Sequence, residues 1–203
     1  MRPRRVLLVL MTAGTVLALA LILALEGGRS RNGASSSSGS SFAGAALPAG
    51  GRAFDFTLPD QYGRVAHLMS FRGQVTMLAF VSARCGAPCV LIGHQIRGAL
   101  DDLGRAVPVL LVSVDPAADT PARVSDFLAR VALTGRARYL TGTPGALRPI
   151  WHAYGIRPPS AGRGAFERSA AVLVLDRDGR ARVIFGLEQL TPEGLAHDVR
   201  QLS

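Results

Sequence analysis

An uncharged apolar run of 20 residues, Val6 to Leu25, separates the start of this chain from everything that follows. An α-helix of that length rises about 30 Å, which matches the hydrocarbon core of a bilayer. Three arginines precede the run within the first five residues, and positive charge on that side keeps the N-terminus in the cytoplasm. We therefore expect residues 1–25 to form a signal anchor, a single transmembrane helix in the cell membrane with the rest of the chain extracytoplasmic. A cleaved signal peptide is the alternative, although the apolar cores of such peptides are shorter, about 7–15 residues.

Residues 26–51 have the composition of a linker, because 14 of these 26 residues are Gly or Ser. A segment with so few apolar side chains cannot bury enough surface to fold, so we expect it to be disordered. The remaining residues, 52–203, are enough for one domain with its own hydrophobic core.

The charge of the chain is +9, and its basic residues are all arginine. Beyond the first 31 residues these arginines are scattered singly, which is typical of a solvated surface. Only 6% of the residues are aromatic and Trp151 is the single tryptophan, too few for a platform on which nucleic-acid bases could stack. The composition therefore argues against a nucleic-acid partner.

Strand-length apolar runs alternate with helical segments along residues 52–203. We expect buried strands at 75–81, 107–114 and 170–175, and helices at 90–103, 121–132, 143–155 and 191–202. The sequence Asp176-Arg177-Asp178-Gly179 predicts a tight hairpin between strands 170–175 and 181–185. This order predicts an α/β fold in which helices flank a central mixed sheet.

Cys85 and Cys89 are the only cysteines, and they lie four residues apart directly after the first buried strand. At the start of a helix this spacing brings both sulfurs to one face. Such a pair can cycle between dithiol and disulfide, or hold Cu(I), which prefers sulfur ligands. A purely structural disulfide is a weaker interpretation, because closing so short a loop restrains the unfolded chain little. Cys85 and Cys89 are therefore both the candidate catalytic residues and the candidate metal ligands.

Several segments resemble the Sco/SenC family of thioredoxin-like, membrane-anchored copper proteins. They are Cys85-x-x-x-Cys89, Ser113-Val114-Asp115-Pro116-x-x-Asp119-Thr120-Pro121, Tyr139-Leu140-Thr141-Gly142 and Leu175-Asp176-x-x-Gly179. The resemblance implies a thioredoxin-like fold facing the cell exterior. It also implies delivery of copper to the dinuclear copper centre of cytochrome c oxidase, or reduction of the thiols of that centre. The implied partner is the copper-bearing oxidase subunit or another thiol protein.

The family completes its copper site with a histidine in an Asp-His-Ser segment, and the matching residues here are Glu167-Arg168-Ser169. A guanidinium has no lone pair to give to a metal. We therefore expect Arg168 to act as a positive charge that favours a cysteine thiolate. Copper would then be held as Cu(I) rather than Cu(II), by Cys85 and Cys89, and the sequence identifies no third ligand.

Three other functions fit parts of the sequence. One is a general thioredoxin-like thiol–disulfide oxidoreductase, an enzyme that binds no metal. A second is a thiol peroxidase, because Ser82-x-x-Cys85 resembles the Thr-x-x-Cys of peroxiredoxins. The third is a paralogue that binds a partner without chemistry, against which the retained cysteine pair argues.

Overall fold

The computed structural model describes residues 41–48, 51–162 and 164–203. The predicted transmembrane helix at 1–25 and most of the predicted linker lie outside these ranges. Within them, no helix combines the length and the apolar character needed to cross a membrane.

The described residues form two sheets and four α-helices. The strands are β1 (Ala45–Ala46), β2 (Thr57–Pro59), β3 (Val65–His67), β4 (Thr76–Val81), β5 (Val109–Ser113), β6 (Arg138–Leu140), β7 (Ala171–Leu175) and β8 (Ala181–Gly186). The helices are α1 (Ala87–Leu103), α2 (Pro121–Arg130), α3 (Pro144–Ala153) and α4 (Pro192–Gln201), with short 3-10 helices at Leu68–Phe71 and Pro159–Ala161.

The main sheet has six strands in the order β1-β8-β7-β4-β5-β6, and β2 and β3 form a separate hairpin. β4 pairs in parallel with β5, which pairs in parallel with β6. On its other side β4 pairs antiparallel with β7, which pairs antiparallel with β8. The predicted α/β fold with a central mixed sheet is therefore confirmed.

The centre of the sheet is formed by the apolar runs of the sequence. Every residue of β4, β5 and β7 is buried, as expected for strands covered on both faces. The strands at 75–81, 107–114 and 170–175 were predicted from these same runs.

Three of the helices begin with the same local signal, Thr followed by Pro. Thr120, Thr143 and Thr191 each accept a hydrogen bond at Oγ1 from a backbone N–H in the first turn of α2, α3 and α4. Proline suits the next position, because the N–H that it lacks would have no partner inside the helix. Helix α1 differs, since Gly86 precedes it and provides no side-chain cap.

The folded part of the chain begins before residue 52. β1 pairs antiparallel with β8, and the Asp198 carboxylate accepts hydrogen bonds from the N–H groups of Ala43 (2.8 Å) and Gly44 (2.9 Å). Asp198 lies in α4 and is fully buried, so these bonds fasten the strand to the domain. Residues 41–48, assigned to the linker from their composition, therefore pack on the domain.

The fit of α1 against its neighbours predicts an effect on stability. A Cβ at Gly93 would lie 2.8 Å from the Cβ of Val131, whereas a Cβ at Gly145 in α3 meets only Thr143 Oγ1 at 3.8 Å. We expect Gly93→Ala to lower the free energy of unfolding by about 1–3 kcal/mol through overpacking. Gly145→Ala should leave it unchanged or raise it by up to about 1 kcal/mol. Urea titration of the full chain in detergent, followed by circular dichroism, measures both, and equal effects would contradict the packing argument.

Candidate functional site

Four segments meet at one end of the main sheet. Because β4, β5 and β6 are parallel and β7 is antiparallel to β4, the carboxyl ends of the first three strands lie beside the amino end of β7. Residues 82–89 follow β4, and residues 114–120 follow β5. The turn that contains Arg168 precedes β7. The topology thus brings the candidate residues of the sequence to the same edge, where α/β proteins commonly place functional sites.

Cys85 and Cys89 are joined by a disulfide bond, with their Cα atoms 5.8 Å apart. Cys89 lies in the first turn of α1 and is fully buried, whereas Cys85 precedes the helix and is half-buried. Gly86 permits this path because its φ of 74° lies in the region that glycine tolerates best. The two sulfurs are therefore unequal, and a thiol from outside meets Cys85 first.

The buried sulfur has a backbone donor. The N–H of Ser82 donates to Cys89 Sγ at 3.3 Å, and the Ser82 carbonyl accepts from the N–H of Cys85 at 3.2 Å. Residues 82–85 therefore form a turn in which one residue, Ser82, bonds to both cysteines. An N–H directed at a sulfur favours negative charge on that sulfur.

Asp119 lies behind this turn, with only 6% of its surface exposed. Its Oδ1 accepts hydrogen bonds from Ser82 Oγ (3.0 Å) and the Ala83 N–H (2.8 Å). Its Oδ2 accepts from Ser113 Oγ (2.6 Å) and the Tyr139 hydroxyl (2.7 Å). One carboxylate thus connects the cysteine-bearing loop to β5 and β6.

The donors on the sheet side are themselves held in place. Burial, together with the charge and hydrogen bond of Asp119, raises the pKa of Tyr139 well above its ordinary value, so its hydroxyl keeps the proton that it donates. The indole N–H of Trp151 donates to the Ser113 carbonyl at 2.9 Å. These contacts lie in the interior, where hydrogen bonds are stronger than in water.

The role of Asp119 was missed from the sequence. Thr120, the next residue, caps α2. Asp119 instead turns inward. The available signal was the presence of Ser82 and Ser113 at the ends of two otherwise apolar strands, since buried polar residues require partners.

Arg168 lies at this end of the sheet and is exposed to solvent. Its guanidinium lies against Gly164, where an added Cβ would come within 2.8 Å of Nη1. The backbone N–H of Arg168 donates to the Gly164 carbonyl at 3.3 Å. Among the described residues, no hydrogen bond joins Arg168 to either cysteine. Any influence of its charge on the sulfurs therefore acts through space.

The donor set of this site consists of two sulfurs. In the described ranges, no three His, Cys, Asp or Glu side chains lie close enough together to hold a metal ion. The histidines of the chain, His67, His94, His152 and His197, are all exposed, and two of them contact carboxylates, Asp55 and Asp198. Two thiolates without a nitrogen ligand suit Cu(I) and not Cu(II).

Comparison with known proteins gives one family and one fold. A sequence model of the SCO1/SenC family matches residues 48–203. The sequence matches none of the curated proteins with which it was compared.

Three solved structures illustrate the structural similarity. Copper-bound ScoI of Bradyrhizobium japonicum is 25% identical, with a TM-score of 0.57 over 75% of this chain and 99% of that one. BsSco, described as a Sco cytochrome c oxidase assembly protein with a disulfide switch, is 21% identical, with a TM-score of 0.64 over 76% and 95%. Copper-bound yeast Sco1 is 19% identical, with a TM-score of 0.59 over 76% and 92%. The family match covers most of the chain, and the chain belongs to the SCO1/SenC family.

Proposed function

We propose that this chain serves the dinuclear copper centre of cytochrome c oxidase through the Cys85/Cys89 dithiol, either delivering copper or maintaining the thiols of that centre. The observation that carries the proposal is the bonded cysteine pair at the end of β4, with one half-buried and one buried sulfur. Family membership supports the process, since BsSco is described as an assembly protein of that oxidase. The partner is then the copper-bearing oxidase subunit, or another thiol protein.

We further propose that the domain is tethered to the cell membrane and faces away from the cytoplasm. The uncharged run Val6–Leu25 and the arginines before it support this arrangement. The Gly/Ser-rich segment after the run would let the domain move relative to the membrane surface.

The unequal exposure of Cys85 and Cys89 gives them different roles in the proposed thiol maintenance. In the reduced protein, the Cys85 thiolate attacks a disulfide of the partner, forming a mixed disulfide and releasing one partner thiol. Cys89, once deprotonated, then attacks Cys85 Sγ, the bond to the partner breaks, and the second partner thiol leaves. The partner disulfide gains two electrons and two protons, and the Cys85–Cys89 disulfide forms.

Copper is cargo in this proposal. Two relatives are described with copper bound. In this chain Cys85 and Cys89 would bind Cu(I) through their thiolates, because the position of the family histidine is occupied by Arg168. Formation of the disulfide removes both ligands, so the bonded and metal-loaded states exclude each other.

Anaerobic titration tests copper delivery. We expect the reduced full chain in detergent to bind one equivalent of Cu(I) in competition with a chromophoric chelator, and to retain no Cu(II), because its donors are two soft thiolates. Cys85→Ser removes one of the two ligands and should abolish the binding.

The matched control is Ser169→Ala, which removes a side chain next to Arg168 and leaves both sulfurs. It should bind as the unmodified chain does. If the reduced chain retains no Cu(I), copper delivery is wrong and thiol–disulfide exchange without a metal becomes the assignment.

Trapping tests the order of attack. Reduced Cys89→Ser should accumulate a mixed disulfide with an excess of an oxidised peptide that carries two cysteines, because Cys85 is accessible and the protein keeps no second thiol that resolves the adduct. Reduced Cys85→Ser should form much less, since Cys89 is buried. Mass spectrometry of the adducts measures both, and equal trapping would contradict the assigned order.

Arg168→Ala tests the proposed activating charge. Because Arg168 is exposed, solvent and salt screen its charge, and we expect a modest effect. Alkylation of Cys85 by iodoacetamide at neutral pH should slow by a factor of about two to five, less so in 1 M salt. Arg157→Ala, which also removes an exposed arginine near this end of the sheet, is the control, and equal slowing in both variants would exclude a specific role for Arg168.

A further inference from the structure

Asp119 is more than a structural contact, because its bonds reach the reactive sulfurs through a single residue. Ser82 donates its hydroxyl to Asp119 Oδ1 and its backbone N–H to Cys89 Sγ. Ala83, the next residue, donates its N–H to the same carboxylate oxygen. The carboxylate therefore fixes the peptide segment that carries the donor to the buried sulfur.

We propose that Asp119 is a positioning residue for the chemistry of the dithiol, acting through Ser82. By holding the 82–83 segment, it keeps the Ser82 N–H directed at Cys89 Sγ. This inference rests on the proposed redox use of the cysteine pair and adds the residue that sets its rate.

The consequence is clearest when the disulfide is reduced by a dithiol such as dithiothreitol. A thiolate of dithiothreitol attacks the half-buried Cys85 Sγ, the new sulfur–sulfur bond forms, and the Cys85–Cys89 bond breaks. The electron pair of that bond passes to Cys89, which leaves as a thiolate and then takes a proton from water. The second thiolate of dithiothreitol attacks the mixed disulfide and releases Cys85, so that dithiothreitol loses two electrons and the protein gains them.

In the first of these steps, negative charge develops on Cys89 Sγ, the atom that accepts the Ser82 N–H. A hydrogen bond to a charged acceptor is worth more than one to a neutral acceptor. The donor therefore stabilises the transition state more than the starting disulfide. Loosening the turn at Ser82 should slow the reduction.

The negative charge of Asp119 has the opposite expected effect. A buried anion near a departing thiolate opposes it, so a purely electrostatic role predicts faster reduction when the charge is removed. Loss of the geometry and loss of the charge thus predict opposite changes in the rate of reduction. Comparing Asp119→Ala with Asp119→Asn separates the two effects.

Asparagine can retain the geometry. Its amide oxygen can accept from Ser82 Oγ and the Ala83 N–H, while its amide nitrogen donates to the hydroxyls of Ser113 and Tyr139. Tyr139 has a second acceptor, the Val81 carbonyl at 3.3 Å. Alanine provides none of these bonds.

The experiment is stopped-flow reduction of the oxidised full chain in detergent by dithiothreitol, followed by tryptophan fluorescence and by alkylation of quenched samples. We expect Asp119→Ala to slow the first step about tenfold, and Asp119→Asn to remain within about threefold of the unmodified chain. The control for lost stability is Asp198→Ala, which removes a buried carboxylate that holds β1, three places from β4 in the sheet. This control should leave the rate unchanged.

An unchanged rate in Asp119→Ala overturns the inference. So does reduction more than about threefold faster in Asp119→Asn, or equal slowing in Asp119→Ala and Asp198→Ala. If Asp119→Ala does not fold, Ser82→Ala takes its place, with an expected slowing of about threefold, and an unchanged rate there overturns the inference. Failure of the proposed function has a different signature, because the unmodified chain would then not exchange with dithiothreitol or with the oxidised peptide.

Discussion

The hydrogen bonds of the Asp119 carboxylate hold together the end of the sheet where the cysteines lie. Four donors converge on it, two from the loop after β4 and one each from β5 and β6. A buried carboxylate would be costly without such partners, and the donors would be unsatisfied without the carboxylate. The disulfide loop and the central strands are therefore fastened to each other by one side chain.

The fold could be predicted from the sequence because its signals are local. Continuous apolar runs predicted the buried strands, and the helices expected from residues 121, 143 and 191 begin at Thr-Pro pairs in the structure. The hairpin between β7 and β8 was predicted from Asp178-Gly179 and its neighbours. In each case the residues that form the sequence pattern also form the strand, cap or turn that the pattern predicts. The mixed sheet agrees with the order of these elements along the chain.

The site could be predicted only in part, because its decisive contacts join residues far apart in the sequence. The spacing of Cys85 and Cys89 predicted that both sulfurs lie on one face, but not that Cys89 alone would be buried. The hydrogen bond between Asp119 and Ser82 joins positions 37 residues apart, and the one between Asp198 and Gly44 joins positions 154 residues apart. Composition assigned Gly44 to a linker, since no local pattern shows that a distant carboxylate accepts its N–H.

The two cysteine sulfurs would serve both the redox chemistry and copper binding in the proposed function. In the proposed function Arg168 occupies the family histidine position, and no third His, Cys, Asp or Glu side chain joins Cys85 and Cys89 among the described residues. Under that proposal, metal binding and disulfide formation compete for the same two atoms, whereas a third ligand could keep copper attached after one sulfur was engaged. The redox state of the pair would then decide whether Cu(I) can be bound at all. The environment of Cys89, built by Ser82 and Asp119, would then affect both proposed chemistries, because a stabilised thiolate is at once the better leaving group and the available copper ligand.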